Sequence, residues 1–273
     1  MSERPNCVEK LQELEALLGR DTGVLQEKIN STLGCGPDLY FYQKTVSQTK
    51  HASPRKIRDV LFDEGFVELL YATLASWGMH SRGAKMKPFE EFSQSIHENV
   101  GLFTRLADFY KKNRLNDERN QKEVVKGLLD LFTALDIMNH RKRSKDEAKS
   151  KKEASKLVAN SKLMHFILPQ LVMPIDRTNT VRFFTGCSVP REYYKPRRWN
   201  ELDENNKSDV RAFFKIHQAV LHWTQGQRIS RKLHDLIDDK WNQTVPKVVD
   251  NLIILYCKEN RDKEGRCKAS SSL

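Results

Sequence analysis

Ser155 to Phe184 reads SKLVANSKLMHFILPQLVMPIDRTNTVRFF, and its reading decides how the rest of the chain is read. A basic approach leads into an apolar run that stops at Pro169; Pro174 then forces an extended step, and Asp176 opens a second apolar segment. Proline fixes φ and lacks a backbone donor, so neither proline sits inside a continuing helix, and the residue before each is pushed toward extended geometry. The stretch predicts helix, rigid crossing, helix, with one carboxylate at the junction.

Outward from this centre the same helical period recurs. Cys7, Leu11, Leu14 and Leu18 share one stripe, predicting a helix over 7–18. Asp21 caps the next, and Leu39 to Val46 forms a third. Ser53 followed by Pro54 is a helix start, and Phe66 to Trp77 is a core helix. Long helices are expected over Phe89 to Tyr110 and Glu118 to Met138, then over Ser208 to Thr224, Ile229 to Trp241 and Val245 to Tyr256. The fold class expected is all-α, with about ten helices. They form one globular unit over 1–257, or two closely packed lobes over 1–140 and 141–257, followed by a frayed or disordered tail over 258–273.

With 273 residues and 38% apolar content, the chain can bury a core without covalent staples. A formal charge of +11 attracts phosphate-bearing partners or acidic membrane surfaces, and nucleic acid is the first expectation, DNA ahead of RNA. Cys7, Cys35, Cys187, Cys257 and Cys267 are too widely spaced for a zinc ribbon or a cysteine-only iron–sulfur site and point to reduced thiols. No secretion signal opens the chain, and its longest apolar runs are far short of a bilayer span. The expected location is therefore intracellular, cytoplasmic or nuclear, with no membrane partner. His217, His222 and His234 invite a metal reading, but a five-residue step turns two side chains about 140° apart on a helix. They are expected to be structural, and no metal or cofactor is expected.

Three stretches carry candidate nucleic-acid contacts. The loop GMHSRGAKMKP over 78–88 gathers Arg82, Lys85 and Lys87 around Gly83 and suits a phosphate or an ordinary solvated loop. The run from Arg141 to Lys156, with Lys149, Lys151 and Lys152, has capping-box spacing at Ser144 and Glu147. It reads as a charged helix that tracks phosphates or as a solvated face or nuclear-import patch. In Tyr193, Tyr194, Arg197, Arg198 and Trp199, aromatics alternate with cations, which suits an unstacked base or a loop pinned to the core.

At the centre, the order of Lys162, an apolar helix, Pro174-Ile175-Asp176-Arg177 and Val181-Arg182-Phe183 resembles the helix–hairpin–helix DNA glycosylase superfamily. The resemblance covers about thirty residues. It implies a two-lobed all-α fold, a hairpin turn at Val158 to Ser161 (without that family's glycines) and a catalytic aspartate at Asp176. It further implies Lys162 as a Schiff-base nucleophile in strand-cutting members, with Arg177 and Arg182 holding phosphates. Base–sugar bond cleavage in DNA repair is the activity it implies. Non-enzymatic nucleic-acid binding and a helical protein-interaction module are the rival expectations. By residue type alone, Asp176 is equally a helix cap and Lys162 a surface lysine.

Overall fold

The computed structural model describes residues 7–79, 85–113, 115, 117–139, 156–185 and 207–260. Among them are α1 (Cys7–Gln12), α2 (Glu15–Leu18), α3 (Thr22–Leu33), α4 (Pro37–Thr49), α5 (Pro54–Phe62) and α6 (Glu64–Leu74), which runs into a π-type turn at Ala75–Met79. Then come α7 (Phe89–Glu98), α8 (Val100–Lys112), α9 (Glu118–Ala134) and α10 (Leu157–Ile167). A second π-type turn, Arg177–Val181, leads into α11 (Arg182–Thr185), and α12 (Lys207–Thr224), α13 (Gln227–Asp235) and α14 (Val245–Glu259) follow. The fold is all-α. No strand occurs among the described residues; a single antiparallel bridge joins Met86 and Met138.

The helix starts are local chemistry. Asp21 accepts from the Val24 amide at 3.0 Å, Ser53 from Lys56 at 3.2 Å and Asp63 from Phe66 at 2.9 Å. Each side chain satisfies one of the amides a helix leaves free at its N-terminus. Breaks inside the expected long helices have equally local causes. The 7–18 helix divides where Glu13 and Leu14 make tight bonds to the carbonyls three residues back. The 89–110 helix divides at Asn99, whose side-chain amide bonds the Ser95 carbonyl at 2.8 Å while its backbone leaves the helical region. The 118–138 helix ends at Ala134, and the chain then runs extended beside residues 85–87. The 229–241 helix ends at Asp235, because the Asp238 carboxylate takes the amides of Lys240 (2.9 Å) and Asn242 (2.8 Å) and closes a turn.

The expected tail boundary also moves. Helix α14 continues to Glu259, where that carboxylate pairs with Arg20 (2.8 Å) and Lys28, and Lys258 donates to the Thr32 carbonyl at 2.6 Å. Residues 258–260 therefore belong to the fold; 261–273 lie outside the described residues.

The packing joins the two ends of the chain. Helix α1 lies on α12, α2 on α13 and α3 on α14, while α5 and α9 pack against α8, and α9 also packs on α12. Helix α10 touches α4, α6, α9 and α12, and all eleven of its residues are buried. A helix that is buried all round is a central element, and this one holds the middle of a single apolar cluster running from Leu11 to Cys257.

Candidate functional site

The crossing from Leu168 to Asp176 turns at Leu168, whose carbonyl takes the Leu171 and Val172 amides, and then runs through the interior without regular structure, so its remaining polar groups must find partners other than a helix. Side chains supply them. The Val172 carbonyl accepts from His165 Nδ1 at 2.7 Å, and the Ile175 amide donates to Ser161 Oγ at 3.0 Å, both partners lying on α10. The Met173 amide donates to His217 Nε2 at 3.2 Å, from α12. His217 therefore carries its proton on Nδ1, which donates to the Phe213 carbonyl at 2.9 Å. Burial keeps both histidines neutral: His165 is lowered to about 3, with the Lys247 cation adding to the effect, and His217 to about 4. His217 is structural; His222 and His234 are exposed.

Val158 to Ser161 do not form the turn that the resemblance implies. They are the start of α10. With no glycine or proline to break the helix, their polar side chains serve neighbouring backbone instead. Asn160 Nδ2 caps the end of α9 through the carbonyls of Phe132 (3.0 Å) and Leu135 (3.1 Å).

Asp176 ends the crossing and caps the second π-type turn. Its Oδ1 accepts from the Thr178 amide at 3.1 Å and its Oδ2 from Asn179 Nδ2 at 3.0 Å. Its backbone is held on both sides, the amide donating to Thr180 Oγ1 at 3.0 Å and the carbonyl accepting from the Val181 amide at 2.9 Å. The carboxylate itself is half-buried.

Lys162 is not a surface lysine. It is 8% exposed, its ammonium lies 5.1 Å from the centre of the Trp77 indole and donates to the Trp77 carbonyl at 3.4 Å. The chain leaves helical geometry at Trp77 and Gly78 inside the first π-type turn, with Gly78 at φ 80°, a conformation other residues rarely take.

Beside them stands a buried ion pair that the sequence reading did not single out. Lys247 and Asp250 lie 2.6 Å apart, with side chains 4% and 5% exposed. The Lys247 ammonium is enclosed by the rings of Trp77 (5.2 Å), Trp241 (5.7 Å) and Tyr42 (5.9 Å), so aromatic faces stand where water would be. Burial raises the Asp250 carboxyl; Lys247 opposes this, Asp176 adds to it, and Lys162 also opposes it. Asp250 thus feels both residues named from the sequence as catalytic. Thr180 Oγ1, which takes the Asp176 amide, donates to Asp250 Oδ1 at 3.5 Å. One signal for the pair was available: opposite charges three residues apart in the apolar run VPKVVDNLIILY occupy one helix face.

The candidate phosphate contacts divide. Lys85 is exposed, whereas Lys87 is tied to Asp136 at 2.7 Å. The Lys85 carbonyl accepts from the Asn139 amide at 2.8 Å, so the end of the 78–88 loop meets the chain just before the run that begins at Arg141. Arg177 is exposed next to Asp176, and Arg182 is half-buried. Arg82, Lys149, Lys151, Lys152, Tyr193, Tyr194, Arg197, Arg198 and Trp199 lie outside the described residues. Among the described residues, no cluster of three or more His, Cys, Asp or Glu side chains could hold a metal, and no helix is long and apolar enough to cross a membrane. Comparison with known proteins finds no matching family model, no similar curated protein and no similar solved structure.

Proposed function

We propose that this chain binds nucleic acid, DNA ahead of RNA, and cleaves a base–sugar bond in the manner of a repair glycosylase. The observation that carries the reading is Asp176 at the end of a crossing that interior side chains hold in place, its amide bonded to the Thr180 hydroxyl that also reaches the buried Asp250 carboxylate. Cleavage of that bond builds positive charge on the sugar ring, and a carboxylate fixed beside the ring stabilises it. Asp176 is half-buried and rigidly based, as that task requires. Lys162, withdrawn from solvent, is the nucleophile once its ammonium has given up a proton, its nitrogen bonding the sugar carbon as the base leaves with the electrons of the broken bond. Arg177 and Lys85, both exposed, take phosphates, in keeping with a net charge of +11.

A second reading has its own observation. Both Asp176 oxygens already serve Thr178 and Asn179, which is all that a helix cap does. On that reading the chain binds nucleic acid without chemistry.

Single-turnover reactions on duplexes carrying a panel of lesions separate the two, with borohydride added to trap an imine. The glycosylase reading expects base release that falls at least a hundredfold in Asp176→Asn with DNA affinity retained, and a trapped adduct that disappears in Lys162→Ala. Tight, salt-dependent binding without release from any lesion makes the chain a binding protein; no binding at any salt concentration makes it a protein-interaction module.

A further inference from the structure

We propose that Lys247 and Asp250 are a positioning pair for Asp176, acting through the hydroxyl of Thr180. The inference rests on the reading of Asp176 as the reactive carboxylate. Its geometry is a relay of contacts: Lys247 Nζ to Asp250 Oδ2 at 2.6 Å, Thr180 Oγ1 to Asp250 Oδ1 at 3.5 Å, and the Asp176 amide to Thr180 Oγ1 at 3.0 Å.

A hydroxyl has one hydrogen and two lone pairs. With its hydrogen directed at Asp250, Thr180 presents a lone pair to the Asp176 amide. Without an acceptor at position 250 that hydrogen turns elsewhere, and the alignment with the amide goes with it. Asp250 offers Thr180 an oxygen lone pair, and Lys247, bonded to its other oxygen, favours the ionised form against the burial that raises the carboxyl. The amide held by Thr180 and the carbonyl held by Val181 fix the Asp176 backbone, from which the side chain reaches Thr178 and Asn179.

The pair is a poor choice if stability is its only purpose. Two charges are taken out of water, and Lys247 stands in the first turn of α14, where the helix dipole disfavours a cation. Tyr42, Trp77 and Trp241 compensate by placing ring faces around the ammonium. The site thus carries two unlike lysines. Lys162 lies against one indole, whereas Lys247 is enclosed by three rings and bonded to Asp250.

The test compares two double variants that each remove both charges. Lys247→Met with Asp250→Asn keeps a carbonyl oxygen for Thr180; Lys247→Met with Asp250→Leu does not. Thr180→Val and its conservative control Thr180→Ser leave the ion pair untouched, so the question stays decidable if either double variant folds poorly. Hydrogen exchange of the Asp176 amide is read first, because it does not depend on any activity. It is expected to quicken at least tenfold in the Leu double variant and in Thr180→Val, and to change less than threefold in the Asn double variant and in Thr180→Ser. Single-turnover base release should fall at least tenfold in the same two variants, with DNA affinity unchanged. Unchanged exchange in Thr180→Val, or equal exchange in the two double variants, overturns the positioning role. Altered exchange in a wild-type protein that releases no base from any lesion upholds the relay and overturns the chemistry assigned to Asp176.

Discussion

The layer formed by α5, α8 and α9 and the region around the Leu168 to Asp176 crossing are both interior, and they are held by opposite means. In the first, Ile57, Leu61, Phe103, Leu106, Val124 and Leu128 are buried against one another. In the second, Ser161, Lys162, His165, Thr180, His217, Lys247 and Asp250 are buried among the apolar side chains. Apolar burial stabilises roughly in proportion to area and asks only that shapes fit. Polar burial costs unless a group is matched, so the partners of Ser161, Thr180, His217 and Asp250 fix the directions of their bonds.

The comparison breaks most visibly at the ion pair. Asp250→Leu leaves Lys247 buried without its counter-charge and should cost about 3–5 kcal/mol in urea unfolding, whereas adding Lys247→Met should bring stability back to within about 1 kcal/mol of wild type. Phe103→Ala, in the apolar layer, should also cost about 3–5 kcal/mol, with no second substitution to reverse it, because its deficit is a cavity. Equal behaviour of the two sites would remove the distinction.

Acid separates the regions next. His165 and His217 are held below their ordinary value of 6.5, to about 3 and about 4, so the unfolded chain takes up protons before the folded one. Their neutral, folded form is fully favoured above pH 6.5. Stability then falls as the pH drops toward those lowered values, by about 1.4 kcal/mol per pH unit for each histidine. A series of urea midpoints from pH 7 to pH 4 should show this, and His217→Gln should flatten the slope. The smallest effect belongs to the cap. Asp176→Ala should cost about 1 kcal/mol in thermal unfolding, and Asp176→Asn, which keeps an oxygen for the Thr178 amide, should cost only a few tenths of that.

The two regions were unequally legible. Inward residues of the apolar layer, such as Phe103, Leu106, Val124 and Leu128, follow a 3.6-residue period and are buried as the period predicts. Asn99 hides in the same period, because a polar residue that breaks a helix from inside looks like one on its outer face. At the centre, the two prolines and Asp176 announced a break between helices and a capped turn, and both are there. Nothing local announced that Lys162 is buried against Trp77 or that Ser161 and His217 support the crossing.

By itself, then, the sequence determined that the chain is helical, where most helices begin and which faces turn inward, because caps and helical period act over a few residues. Tertiary structure alone decided which charges are buried and what they meet. The ring faces and carboxylate around Lys247 come from α4, the kink after α6, the turn before α14 and α14 itself, segments as far apart in the chain as Tyr42 and Lys247. A charge's environment is set by whatever the fold packs around it, and no periodicity in its own helix encodes that.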